Sequence, residues 1–295
     1  MRIWEADIVV DEGVVRQLLG QFPDVEARSL RPFAEGWDYA IWVVDGEWAF
    51  RFPRREVAIA GVELEIRVLP QLAPLLPLPI PAPVFVGEPT ADFPWPFFGS
   101  RLLPGRELGE LGLGEAPRTE VARSLAAFLR ALHDSEVPGL PTDSNRRADM
   151  KTRVRKTREQ LAEVDSLWQR PAALDEMLDE AEGLGPPRHE AVVHGDLHVR
   201  QLLADEEGRL TGVIDWVDLC RSDPAIDLSM YWSYFPPPAR GAFLEAYGPV
   251  DEEQLLRARV LALSLCAALA AYGHQEGNEK VETEALAGLD RAAAT

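Results

Sequence analysis

Prolines stand at every second position from Pro77 to Pro83, in the run Leu76-Pro-Leu-Pro-Ile-Pro-Ala-Pro83. Each ring removes an amide donor and obstructs a helical turn, so this segment runs extended. Before it, residues 11–22 carry Val14, Val15, Leu18 and Leu19 on one helical face, with Asp11 as the cap. Residues 39–44 and 47–52 read as two strands joined by a tight Asp45-Gly46 turn, and 57–69 as a helix with Val62, Ile66 and Leu69 aligned. Beyond the prolines, 84–86 and 97–103 read as strands.

Pro104-Gly105 is a second breaker, and the chain after it is mostly helical. Residues 121–133 align Leu125, Phe128, Leu129 and Leu132; 148–178 is one long helix or two, broken near Pro171; 257–272 is a strongly apolar helix. Short strands are expected at 191–193 and 210–214. The pattern predicts an α+β chain of two lobes, 1–104 and 105–295.

Forty-nine acidic residues against 30 basic ones give a formal net charge of −19. So acidic a chain is a poor match for a nucleic-acid backbone, although it can concentrate a cationic small molecule. The basic run Arg146, Arg147, Lys151, Arg153, Arg155, Lys156, Arg158 reads as a solvated helix face. No run of about 18 apolar residues and no signal-peptide pattern is recognised, so no membrane span is expected and the cytoplasm is the expected compartment. Cys220 and Cys266, in apolar contexts, read as two reduced, packed thiols.

The chemistry concentrates between Val192 and Asp227. His194-Gly195-Asp196-Leu197-His198 follows a short apolar strand, Gln201 comes five residues after Asp196, and a hairpin turning at Gly208 brings Ile214-Asp215-Trp216 back beside them. Two carboxylates and an amide oxygen then meet at one mouth. That set suits a hard cation with oxygen ligands, Mg²⁺ above all, with the second carboxylate left to orient or deprotonate a hydroxyl. His194 and His198 are four residues apart but in a loop, and read as braces for Asp196 rather than as zinc ligands. Asp223 and Asp227, in Asp-Pro-Ala-Ile-Asp, read as braces for the loop and the helix after it. Only seven residues separate Asp215 from Asp223, too few for a peptide-binding activation segment, so a small hydroxyl-bearing acceptor is favoured over a protein.

These motifs resemble those of the aminoglycoside phosphotransferase family, which includes macrolide phosphotransferases and has choline kinases as distant cousins. Its pattern is His-Gly-Asp-(Leu/Phe)-His-x-x-Asn, then Ile-Asp-Trp, then Gly-Asp-Pro-x-x-Asp, and the likeness runs from about Phe33 to the C-terminus. The resemblance implies a protein-kinase-like fold, with a small N-lobe built on an antiparallel sheet and a large, mainly helical C-lobe. It implies Asp196 as the catalytic base, Gln201 and Asp215 as Mg²⁺ ligands, and ATP or GTP as co-substrate. It further implies a nucleotide-covering loop at 33–38, Arg51 on the phosphates with Glu65 orienting it, a purine-binding hinge at Ser100-Arg101-Leu102, and Leu203 and Ile214 around the base.

Four departures stand out. Gln201 replaces asparagine, Arg51 replaces the familiar lysine, Tyr39 follows Asp38 where relatives often have asparagine, and Ser222 replaces the glycine before Asp-Pro. The acceptor is expected to be a cationic, antibiotic-like molecule, an aminoglycoside or macrolide, in a pocket including Tyr231, Trp232, Tyr234 and Glu276. An ordinary metabolite, such as an amino alcohol or sugar derivative, is the alternative acceptor, and a nucleotide-binding module without efficient catalysis the alternative role. The expected partners are therefore nucleotide and small-molecule acceptor, with no nucleic acid and no membrane, on a monomer or weak dimer.

Overall fold

The computed structural model describes residues 6–36 and 38–294. The chain divides into two compact units, Met1–Pro74 with Pro79–Leu103, and Leu75–Leu78 with Pro104–Thr295.

The first unit begins with α1 (Glu12–Leu19), whose first turn is closed by Asp11 Oδ1 accepting from the Val14 amide at 2.9 Å. Strands β1 (Leu30–Glu35), β2 (Tyr39–Val44) and β3 (Trp48–Pro53) follow, then α2 (Ile59–Leu72), β4 (Pro83–Gly87) and β5 (Phe97–Arg101). The strands form one antiparallel sheet in the order β1-β2-β3-β5-β4. Asp45 and Gly46 both have positive φ, 54° and 69°, the turn whose twist matches a two-residue hairpin. Pro83 opens an edge strand, where no ladder hydrogen bond need be lost. The other edge, β1, was not legible: Pro32 and a run of exposed side chains give it no alternating pattern. In β3, Phe50 and Phe52 turn into a core shared with Leu18, Leu19 and Phe97, so Arg51 turns to the opposite face, against α2.

The second unit holds β6 (Arg106–Glu107), α3 (Glu115–His133), α4 (Met150–Glu163), α5 (Leu174–Glu182), β7 (Ala191–Val193), β8 (Leu202–Ala204), β9 (Leu210–Val213) and β10 (Cys220–Ser222). It closes with α6 (Ala225–Ser233), α7 (Pro237–Tyr247), α8 (Glu252–Glu276) and α9 (Glu279–Ala293). The stretch 148–178 is thus two helices, α4 and α5. Strands β6, β8 and β9 form one small sheet, and β7 pairs antiparallel with β10. Helix α8 is longer than expected. It has the length and apolarity of a membrane-crossing helix, contrary to the reading that no such run exists, yet it packs against α4, α6 and α9 within this unit.

Candidate active site

The loop after β7 is held from behind by a buried carboxylate. Asp227, on α6 and fully buried, accepts from the His194 amide (Oδ2, 2.8 Å) and the Gly195 amide (Oδ1, 3.1 Å). His133 Nε2 lies 3.2 Å from the same Oδ2, and His133 Nδ1 lies 2.8 Å from the Tyr247 hydroxyl. The network assigns Nε2–H to His133, donating to Asp227, with Tyr247 donating to Nδ1. Burial alone would raise the Asp227 pKa, but the His133 hydrogen bond and the His194 amide outweigh it and hold the carboxyl below its usual range. Gly195 has φ +90°, and a Cβ there would overlap the carbonyl of Asp218, so the turn into Asp196 accepts only glycine.

The histidines take different roles. His194 Nε2 donates to the Ile214 carbonyl at 3.0 Å, its Nδ1 lies 3.4 Å from the Asp196 amide, and its ring packs on Trp216 with centroids 4.7 Å apart. It therefore ties the Asp196 loop to the Asp215 loop. His198 Nδ1 accepts from the Arg200 amide at 3.2 Å, while Nε2 stands 3.7 Å from Asp196 Oδ2, beyond hydrogen-bond reach. Burial, and then the Arg200 charge, push its pKa down to about 3, so it is a neutral neighbour of Asp196.

Asp196 is half-exposed, and its side chain lines a cavity of about 550 Å³ within the second unit. Desolvation by the surrounding walls, together with the nearby Asp215 charge and against that of Arg147, pushes its carboxyl up to about 6. A carboxylate with that affinity can take a proton from a hydroxyl near neutral pH.

Asp215 follows β9 with φ +67°, a left-handed conformation that aspartate tolerates better than most residues. Gln201 Nε2 donates to Asp215 Oδ2 at 3.3 Å, while Gln201 Oε1 is buried with no hydrogen-bond partner among the described residues. A carboxylate beside an orphaned amide oxygen is the donor set a hard cation takes. Among the described residues no three or more acids, histidines or cysteines converge on a metal, so phosphate and water oxygens would complete the shell. Asp223, also buried, accepts from the Ala225 amide at 2.9 Å and from Gln254 at 3.2 Å, which secures the start of α6.

In the first unit, Arg51 Nη1 lies 2.8 Å from Glu65 Oε1, with the Glu65 side chain fully buried and the guanidinium 3.9 Å over the Tyr39 ring. This is a buried, stacked pair, not a surface one, and it gives Tyr39 a role at the position where relatives often have asparagine. Ser100 is buried in β5. The Leu102 amide, in the segment expected to be the hinge, donates to the Glu47 carbonyl at 2.9 Å in this conformation. In β8, Leu202 and Ala204 are buried and Leu203, on the other face, is partly exposed, as is Ile214. The covering loop expected at 33–38 includes Trp37, which lies outside the described residues.

The model of the phosphotransferase enzyme family (APH) matches residues 29–261, well over half of the chain. The chain belongs to this phosphotransferase family. The fold is shared with wild-type aminoglycoside 2'-phosphotransferase-IIIa in its GDP complex (TM-score 0.68, 22% identity, 95% of this chain and 97% of that one). It is shared as well with macrolide 2'-phosphotransferase MphH from Brachybacterium faecium (TM-score 0.63, 24% identity, 95% and 98%) and with macrolide 2'-phosphotransferase type I (TM-score 0.60, 25% identity, 98% and 99%). Among curated proteins, the uncharacterized protein YcbJ of Bacillus subtilis (strain 168) is 38% identical over 61 residues, 21% of this chain and only 20% of that protein. The kinase-like α+β fold and the phosphotransferase class expected from the motifs stand with these matches.

Within this phosphotransferase Tyr231, Trp232, Tyr234 and Glu276, expected in the acceptor pocket, do not line the cavity beside Asp196. The aromatic cluster is core. Tyr231 packs on Phe243, Trp232 Nε1 donates to the Leu255 carbonyl at 2.9 Å, and Tyr234 lies buried under the Arg118 guanidinium at 4.2 Å. Glu276 is exposed at the end of α8. The cavity wall comes instead from α4, α6 and α8 with the segments before α4 and after β7, and includes Arg147, Arg153 and Lys156, so the basic run is not only a solvated face. Sequence reasoning missed these residues. The available signal was the position of the run, on the helix next before the His-Gly-Asp loop but one.

Proposed function

We propose that this protein transfers the γ-phosphoryl group of ATP or GTP to a hydroxyl of a small molecule in the cytoplasm. The observation that carries the reading is the Asp196 carboxylate, half-exposed at a cavity wall on a loop tied down by Asp227. In the step, the acceptor oxygen forms a bond to the γ-phosphorus as the bond from that phosphorus to the bridging oxygen breaks. The electron pair leaves with the nucleoside diphosphate, and the hydroxyl proton goes to Asp196 Oδ. Asp215 and Gln201 would hold Mg²⁺, which when bound neutralises phosphate charge. Arg51, oriented by Glu65, would hold a nucleotide phosphate with its forked donors.

Two acceptor classes follow. The structural neighbours are aminoglycoside and macrolide phosphotransferases, which supports an antibiotic-like acceptor. The cations in the cavity wall favour the second class, an ordinary metabolite without a strong positive charge. The test is Mg²⁺-dependent turnover with ATP and GTP separately, against aminoglycosides, macrolides, amino alcohols and sugars, beside the variant Asp196→Asn. Acceptor-stimulated turnover that needs Asp196 supports the reading, and turnover indifferent to Asp196→Asn overturns it.

A further inference from the structure

The charge in the cavity beside Asp196 is opposite to what a polycationic acceptor requires. Asp196 is the one acid among its lining residues, against Arg147, Arg153 and Lys156, on a chain whose formal net charge is −19. A positive wall on so acidic a molecule is a local feature that the overall charge does not provide.

The three cations differ. Arg147 is already balanced by Asp143, Nη1 to Oδ1 at 3.1 Å, and by Asp218. Arg153 donates from Nε to the Arg147 carbonyl at 3.1 Å and from Nη1 to Ser264 Oγ at 3.5 Å, and no carboxylate among the described residues forms an ion pair with it. Burial first, and then the Arg147 charge, push its pKa down, against a smaller opposing pull from Asp143. Lys156 stands three residues further along α4, on the same side, and is exposed with no ion pair among the described residues. Gln160 comes a turn later and accepts from Ser264.

A second observation points to a missing ligand. Ser229, on α6 and lining the same cavity, is 1% exposed, and its Oγ has no hydrogen-bond partner among the described residues. Buried hydroxyls are nearly always paired, so an unpaired one at a cavity wall is a donor awaiting an acceptor. Leu197, Ile226, Leu261 and Leu265 add apolar surface to a wall that also carries the polar side chains of Asn145 and Gln160.

We propose that Arg153 and Lys156 bind an anionic group on the acceptor, with Ser229 as a further donor to it. The phosphoryl acceptor is then a hydroxyl-bearing carboxylate or phosphate ester with an apolar body. This rests on the phosphotransferase reading of Asp196, since it concerns what occupies the cavity that Asp196 faces. The guanidinium fork of Arg153 suits either anion, and both arms are tested below.

The experiment uses the full chain and three alcohols of equal carbon number, hydroxyhexanoate, hydroxyhexyl phosphate and aminohexanol. Binding is read as a Tm shift without nucleotide, and transfer as kcat and KM with Mg²⁺ and ATP or GTP. An anionic member should raise Tm where aminohexanol does not, and be turned over with kcat/KM at least about tenfold higher. Which of the two does so identifies the anion. Arg153→Gln should raise KM for that member about tenfold with little change in kcat, leaving aminohexanol unaffected. Lys156→Gln, at an exposed position that leaves folding intact, should act in the same direction. Aminohexanol binding as well as the anions, no anion-dependent Tm shift, or an equal effect of Arg153→Gln on all three would overturn the proposal. An anion-dependent Tm shift that Arg153→Gln abolishes, with no phosphoryl transfer by wild type, would uphold the anion site and count against the phosphotransferase reading instead.

Discussion

Asp227 holds His194 by its backbone, with Oδ2 2.8 Å from the amide nitrogen, although the two residues are 33 positions apart. The same carboxylate takes the Gly195 amide and faces His133, so a buried charge on α6 sets where the Asp196 loop can lie. The Asp196 carboxylate is thus positioned by a second one that is fully buried.

Asp227→Asn should destabilise the fold by about 2–4 kcal/mol, because an amide cannot accept from two backbone amides and His133 at once. The wild-type Asp227 pKa is depressed in the folded state, so the unfolded chain takes up this proton first as pH falls. Its contribution is complete above the unfolded value of about 3.9 and is lost as pH falls through the lower folded value. Urea unfolding across this acid range should show that slope in wild type and less of it in Asp227→Asn.

Asp196→Asn should lower turnover by about 10²-fold or more without lowering Tm, since the ionised carboxylate is disfavoured by its surroundings. Wild-type kcat/KM should fall on the acid side with a midpoint about 6, where Asp196 takes up its proton. Residual activity of the variant should lack that limb. A pH–rate profile of both proteins checks this, and an unchanged acid limb in Asp196→Asn would assign the titration to another group.

Gly195→Ala should cost about 2–4 kcal/mol, since the added Cβ would both meet the Asp218 carbonyl and strain φ +90°. Chemical denaturation reads the loss, and turnover should fall with it because the same turn aims Asp196.

Gln201→Leu removes the buried amide oxygen that lacks a partner together with the Nε2 hydrogen bond to Asp215, so the two effects oppose and stability should change little. The Mg²⁺ concentration for half-maximal turnover should rise by about tenfold, as expected when one oxygen ligand is lost. Titration of Mg²⁺ at saturating nucleotide measures it, and an unchanged requirement would remove Gln201 from the metal site.

Arg51→Ala should destabilise the first unit by about 3 kcal/mol, because the fully buried Glu65 loses the cation 2.8 Å from its Oε1. It should also raise the KM for nucleotide. Arg51→Lys should recover part of both, as a point charge without the guanidinium stack on Tyr39.

By itself the sequence determined the elements whose signals are local. Asp11 capping α1, the Asp45-Gly46 hairpin, the prolines before β4 and the apolar spacing of α3 each act within a few residues, so a linear reading recovers them. The His-Gly-Asp and Ile-Asp-Trp motifs likewise marked Asp196, Gln201 and Asp215, because a short hairpin joins them. Edge strand β1 carried no pattern and was lost, and the aromatic run 231–235 gave no sign of which rings were core. Tertiary structure alone decided what lies around Asp196. Arg153 from α4, Ser229 from α6 and Leu261 from α8 reach one cavity only because those helices pack together. Burial, pairing and cavity charge are sums over neighbours distant in sequence, and no periodicity along the chain records them.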